Sequence, residues 1–323
     1  MILPLNNRYA VDEEDKCYVA FISYGKDSLA MLEAIKILGL PLHRIIHTEV
    51  WATQDIPADL PPMVEFKKRA DKIIYERYGI KVEHISATQM GGVLSYEDML
   101  YQRMSSGQFE GTYRGFPLTK AGWCGKLKTD KVDIRGYLLS PIEGGGYVRY
   151  SSQQEYGICD EVEPVLHRGT QKFFSSPRAK GGIKIVRYLG IAADEPIRIA
   201  RHENKADVMM PLVEIGWDED YCGLFCTYTD LLSPTYDSSM RGGCWFCHNQ
   251  GVAQLRLLRK NYPDLWALLM KWDLDSPTTF KSDGHTVHDY DERFRLEDEG
   301  VIDPQEPFFW RYLNQKQLRI EGI

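Results

Sequence analysis

The chain contains no run of about 18 apolar residues, the length a helix needs to cross a bilayer, so no transmembrane segment is expected. It shows no internal repeat and no low-complexity tract, so no repeat architecture is expected. A signal-peptide core is also missing: Met1-Ile2-Leu3-Pro4-Leu5 is too short, and acidic residues follow from Asp12 to Asp15. Positive charge is in deficit, with 39 Lys and Arg against 46 Asp and Glu and a net charge of −7. That argues against a surface coated in positive charge and leaves room for a local basic groove. Cysteine is sparse and odd in number, at 7, which does not suit a secreted disulfide framework. These absences together lead to the expectation of a cytoplasmic protein with no membrane partner. The Walker A pattern, G-x-x-x-x-G-K-S/T, is absent too.

What is present is the makings of a globular protein. At 323 residues, 43% hydrophobic and 26% charged, the chain can bury a substantial core. Cys17 to Ile22 is a short apolar run that reads as a buried strand. Leu29 to Leu38 is rich in helix formers. Between them lies Ser23-Tyr24-Gly25-Lys26-Asp27-Ser28. A strand, a small-residue loop and a helix start make an anion site, because the first helical N–H groups have no partner within the helix. Gly25 lets the backbone approach a phosphate, Lys26 adds a point charge, and Ser23 and Ser28 add hydroxyls. Asp27 could help to hold Mg²⁺. The bland alternative is a surface turn with a charged tip.

The first half alternates strands and helices. Arg44 to Thr48 and Ile80 to Ser86 read as strands, and Met63 to Tyr78 as an amphipathic helix ended by Gly79. A later strand is expected at Ile183 to Leu189, a helix opening at Glu195-Pro196, and a strand or extended approach at Pro211 to Ile215. Helical patterns follow at Asp218 to Phe225, Val252 to Arg259, Pro263 to Trp272 and near Asp289 to Glu299. The fold class expected is α/β, a doubly wound, mostly parallel sheet with a C-terminal helical, cysteine-metal subregion. The expected division is 1–217, a nucleotide-binding domain with an insertion at about 136–182, and 218–323, the helical region.

Cysteine spacing gives the second signal. Cys244-Trp245-Phe246-Cys247 is a C-x-x-C after two glycines, a turn that lets two thiolates face one metal. Cys124 is a third candidate. Cys222 and Cys226 lie four apart on an expected helix and share a face, and Cys226 is favoured as the fourth ligand, with Cys222 as its alternate. Four thiolates suit Zn²⁺ or a 4Fe–4S cluster, and spacing does not separate the two. The alternative is that these are small buried hydrophobes. Cys17 reads as core, and Cys159 receives no role.

The loop resembles the SGGKDS element of the PP-loop ATP pyrophosphatases, with Tyr24 where that pattern has Gly. With the cysteines, the chain resembles the phosphoadenosine phosphosulfate (PAPS) reductase-like branch, especially members from phages and mobile elements, over about Cys17 to Glu299. Leu189-Gly190-Ile191-Ala192-Ala193-Asp194-Glu195-Pro196-Ile197-Arg198 looks like that branch's strand–turn–helix segment. Pro211 to Trp217 is similar to its P-L-x-x-W segment, with two extra residues before the Trp. Cys124-Gly125-Lys126-Leu127-Lys128 is similar to the C-x-x-x-K element of its iron–sulfur members, with Trp123 where they carry an adjacent Cys. The resemblance implies ATP and Mg²⁺ over Ser23 to Ser28, a nucleotide pocket shaped by Thr48, Glu49 and Gly190, and Arg198 and Arg201 on phosphate or substrate. It implies catalytic roles for Lys26, Asp27 and Arg198. True PAPS reductases carry a further catalytic cysteine near the C-terminus, whereas no cysteine follows Cys247 here. They have also lost the Lys-Asp part of the loop, which this chain keeps.

The reading that follows is an ATP-dependent adenylating enzyme, releasing pyrophosphate, that installs sulfur on a nucleic-acid base or small molecule. Its rivals are a sulfonucleotide reductase and a non-catalytic nucleotide-binding accessory of a mobile element. Leu166 to Arg187 carries Arg168, Lys172, Arg178, Lys180, Lys184 and Arg187 with no acid, which points to tRNA or DNA as partner or to a solvated loop. A sulfur-donor protein and a homodimer are further expected partners. His285 and His288 read as a surface turn, and the tryptophans as packing anchors.

Overall fold

The computed structural model describes residues 16–89, 92–107, 110–117, 122–128, 184–236 and 243–305. The expected insertion at 136–182, Cys159, Trp310 and most of the basic segment 166–187 lie outside them, as does the side chain of Cys17. The chain divides into two units, Met1–Tyr96 with Cys124–Cys244, and Glu97–Trp123 with Trp245–Ile323.

In the first unit the apolar run before the loop is strand β1, Lys16–Ile22, followed by helix α1, Lys26–Leu38. Strand β2, Arg44–Glu49, helix α2, Pro61–Tyr78, and strand β3, Val82–Ser86, come next. A two-stranded hairpin, β4 at Thr88–Gln89 and β5 at Gly92–Val93, leads to the start of helix α3, Tyr96–Leu100, whose residues from Glu97 on belong to the second unit. Strand β6, Lys184–Tyr188, helix α4, Pro196–Ala200, and strand β7, Val208–Met209, continue the unit. Helices α5, Pro211–Ile215, and α6, Glu219–Tyr228, follow. The sheet is five-stranded in the order β3-β2-β1-β6-β7, and every pairing is parallel. A parallel sheet flanked by helices is an α/β fold, and it places loops at the carboxyl ends of the strands where ligands bind.

Helix α1 is the centre of this unit. Seven of its residues are buried, from Ser28 through Ile35, and α5 and α6 pack on it. This is why Pro211–Ile215 is a helix and not the strand or extended approach expected. Pro211 occupies the first helical turn, where its missing N–H costs nothing, and Leu212 is wholly buried in the same core as α1. The strand in this region is the short β7, just upstream. Helix α6, expected with the C-terminal region, belongs to the first unit for the same reason: Cys222 and Cys226 face that core. Asp218 caps it by accepting from the Tyr221 N–H at 2.8 Å.

The second unit is built on helices α7, Val252–Asn261, α8, Pro263–Asp275, and α9, Val287–Asp298. Trp245 stacks on Trp272 with centroids 5.6 Å apart, and both are fully buried. Arg256 and Arg293 share the Glu297 carboxylate at 2.5 and 2.8 Å. Lys281 donates to the carbonyls of His248, at 2.6 Å, and Gln250, and so fixes the chain just after Cys247. Among the described residues no helix is long and apolar enough to cross a membrane.

One close approach governs the first unit. A Cβ built on Gly190, just past β6, would lie 2.7 Å from Ser28 Cα and 2.9 Å from the Asp27 carbonyl carbon and oxygen. These are backbone atoms, so the loop or the strand must move to admit any side chain. Gly190→Ala is therefore expected to destabilise the protein by about 2 kcal/mol, within the range of overpacked cores. Urea unfolding of the variant checks this, and an unchanged midpoint would contradict the packing described.

Candidate functional site

The Ser23–Ser28 loop joins the carboxyl end of β1 to the start of α1, as its sequence context implies. Ser28 ties it internally. Its hydroxyl donates to the Gly25 carbonyl at 2.9 Å and accepts from the Ser23 N–H at 3.1 Å and the Ser23 hydroxyl at 3.3 Å. Gly25 is the N-cap of α1 and supplies no side chain to satisfy the first helical N–H groups. The Lys26 N–H donates to Tyr236 Oη at 3.3 Å.

A cavity of about 660 Å³ opens above this loop, with Ser23, Tyr24 and Gly25 in its lining. Phe21, Ile22, Ile46, Val50, Ala58 and Met63 give it apolar walls. Thr48 lines it, as do Tyr236, Lys128 and Cys244. The loop, Lys128 of the C-x-x-x-K element and the first cysteine of the C-x-x-C thus line one cavity within one unit. An apolar slot with a helix N-terminus and a few polar groups suits a ligand with a flat ring and an anionic tail.

Other expected site residues sit elsewhere. Lys26 and Asp27 pair with each other at 3.0 Å beside the cavity, and Lys26 also reaches Glu219 at 2.9 Å. Burial would lower the Lys26 ammonium, but those two carboxylates hold it well above its usual value. Burial raises the Asp27 carboxyl against the opposing pull of Lys26. Gly190 serves the backbone packing described above. Arg198 is half exposed and bound to Glu195 at 2.5 and 2.7 Å, and it does not line the cavity. Glu49 is not in the cavity lining and pairs with His84.

Cys124, Cys226 and Cys244 belong to the first unit and Cys247 to the second. Within the first unit, no three of Cys124, Cys222, Cys226 and Cys244 bring their sulfurs within 4.8 Å of one another. Cys222 and Cys226 are fully buried, and Cys226 donates its S–H to the Lys26 carbonyl at 3.3 Å. Burial pushes both thiols up to about 12. They act as small core residues that seat α6 on the start of α1.

Beneath the loop lies a group that the sequence reading did not single out. Tyr24 has φ 58°, in the left-handed region that favours glycine, which costs roughly 1–2 kcal/mol for a side chain. Its ring is fully buried, and its hydroxyl donates to Asp71. His84 lies between Asp71, at 2.9 Å from Nε2, and Glu49, at 3.0 Å from Nδ1, with Tyr24 Oη also 3.0 Å from Nε2. Lys67 donates to Asp59 at 2.5 Å and to His47 Nε2 at 2.7 Å. His47 in turn donates from Nδ1 to the Ile22 carbonyl at 2.9 Å, since a carbonyl can only accept. Hydrogen bonds to charged groups, at about 1.5–3 kcal/mol each, suffice to hold Tyr24 in its unfavourable backbone state.

Charge in this group is set by its partners. Burial alone would drive the His84 proton off, but Asp71 and Glu49 raise its pKa to about 9. Burial alone would raise Glu49, but the hydrogen bond and charge of His84, with Lys67, bring it down to about 2. Burial, then the charges of Lys67 and His84, keep His47 neutral. His47, Glu49 and His84 offer ligand atoms all within 4.8 Å of one another, a buried group that could hold a metal ion. Such an ion would compete with the Lys67 ammonium for His47 and with a proton for His84.

The sequence carried a trace of this group. Lys67 and Asp71 lie four apart on the otherwise apolar face of α2, with Met63, Phe66, Ala70 and Ile74 around them. Two opposite charges on a buried face require partners. Comparison with family models, with curated proteins and with solved structures found no match to this chain.

The raised His84 pKa has a definite sign. Its stabilising effect is complete below the unfolded value near 6.5 and is lost as pH rises through about 9. Unfolding free energy is expected to fall by up to about 3 kcal/mol between pH 7 and 10, and the fall should vanish in His84→Gln. Denaturant titrations of both proteins across that range measure it, and parallel curves would contradict it.

Proposed function

We propose that this protein is an ATP-dependent adenylating enzyme of the PP-loop kind, with the doubly wound sheet of that superfamily. The observation that carries the reading is the meeting of the Ser23–Ser28 loop, Lys128 and Cys244 around one cavity of about 660 Å³ at the carboxyl ends of β1 and β2. The adenine ring takes the apolar walls and the phosphates take the loop and the N-terminus of α1. An acceptor oxygen attacks the α-phosphorus, the bond to the bridging oxygen breaks, and pyrophosphate leaves. The adenylated carbon is then open to a sulfur nucleophile, and AMP departs with the oxygen.

This chain's residues divide the work. Lys26 exchanges its carboxylate partners for phosphate, where its charge offsets the charge developing on pyrophosphate. Lys128 adds a second cation at the cavity wall. Asp27 would hold Mg²⁺, which when bound neutralises phosphate charge. Cys244 presents a thiol to the cavity, placed to carry or receive sulfur. A nucleic-acid base is the acceptor favoured by the basic segment ending at Arg187, and tRNA or DNA the partner.

Lys26→Ala should lower pyrophosphate release from ATP by at least about 100-fold with the fold intact. Unchanged release from the purified variant would remove the claim. Cys244 should be shielded from iodoacetamide by ATP with Mg²⁺, with alkylation slowed at least about fivefold at saturation, the protection expected of an occluded thiol. Peptide mapping by mass spectrometry reads the rate, and equal labelling with and without ATP would place the nucleotide elsewhere.

A further inference from the structure

Two residues flanking Ser23 are held from below by one buried group. The Ile22 carbonyl accepts from His47, and the Tyr24 phenol is bound to Asp71 and His84. His84 and His47 are linked through Glu49 and Lys67: Glu49 is 3.0 Å from His84, Lys67 is 3.9 Å from Glu49, and Lys67 is 2.7 Å from His47. The chain of contacts therefore leaves the backbone at residue 22 and returns to it at residue 24. Three of its members, Tyr24, His47 and Lys67, also line the cavity, as does Asp59, the partner of Lys67. The Lys67 ammonium lies 5.4 Å from the centroid of the Tyr24 ring, a further attraction on that ring.

A free loop would not place a tyrosine at φ 58°, because its Cβ crowds the neighbouring carbonyl there. The backbone that follows is the extended Gly25 and the first turn of α1, whose N–H groups face the anion position. Whatever fixes residue 24 fixes the direction in which those groups point. We propose that Tyr24 is a positioning residue for phosphate: its buried hydroxyl, anchored to Asp71 and His84, sets the loop in its phosphate-receiving shape before a ligand arrives. This inference rests on the ATP reading above and names what prepares that site. Preorganisation of this kind acts on affinity for the anionic part of the ligand and spares the part bound by the apolar walls.

The test compares ATP with Mg²⁺ against adenosine, which has the base and ribose but no phosphate, by titration calorimetry on wild type and Tyr24→Phe. Phenylalanine keeps the ring and removes the hydroxyl. The ATP dissociation constant should rise about tenfold, the equivalent of one hydrogen bond to a charged partner, while that of adenosine stays within about twofold. Asp71→Asn, which removes the anchoring charge at the far end, should shift the ATP-to-adenosine ratio in the same direction and stands in if Tyr24→Phe does not fold. Equal losses for both ligands, or no loss for either, would make Tyr24 a core residue only and overturn the proposal. A wild type that binds ATP no better than adenosine would overturn the phosphate reading and this proposal together. A wild type that prefers ATP, with the preference retained in both variants, would overturn this proposal alone.

Discussion

Charge taken out of water must be answered by charge or hydrogen bonds nearby, and the end of the first unit that carries the cavity is arranged around that requirement. Lys67 and His84 are cations in the interior, and Asp59, Glu49 and Asp71 surround them. Removing one member of such a set leaves its partner buried and unpaired, which typically costs about 3–5 kcal/mol. That stake is larger than the backbone strain at Tyr24, so the strained loop persists. The loop's shape is in this sense a product of residues distant in sequence, on β2, α2 and β3.

The strand–loop–helix unit and most of the parallel sheet were legible in the sequence. Apolar runs of strand length, the helix-forming stretch after Ser28 and the glycine after Tyr78 each point to one local structure, and the fold agrees with all three. The charged group was not legible as a unit, because it depends on sheet register. His47 and His84 are direct neighbours in the β2–β3 pairing, which no spacing in one chain reveals. Pro211–Ile215 was misread because a five-residue apolar segment has no period long enough to separate strand from helix. Its packing on α1 decides the matter.

The cysteines show the same limit from the other side. Spacing picks out Cys222 and Cys226 as sharing one helix face, and they do. What spacing omits is the neighbour that face meets, here the start of α1, which turns two potential ligands into core residues. Cys244 and Lys128 were legible as reactive types, and the tertiary fold adds the one fact that matters for chemistry, their place on the cavity wall with the loop.

The contact at Gly190 also bears on how the protein is made. β1 pairs in register with β6, Lys16 opposite Lys184, so the two central strands come from distant parts of the chain. Closing so long a connection is an entropic expense met only late, when many contacts can form at once. During synthesis the loop emerges early, yet the backbone atoms that seat Asp27 and Ser28 belong to residue 190. Until that residue has left the ribosome and joined the sheet, the residues before it carry the Ser23–Ser28 loop without its support. The loop therefore gains its backing only once β6 has joined the sheet, and a chain that stops short of residue 190 holds the motif without that contact.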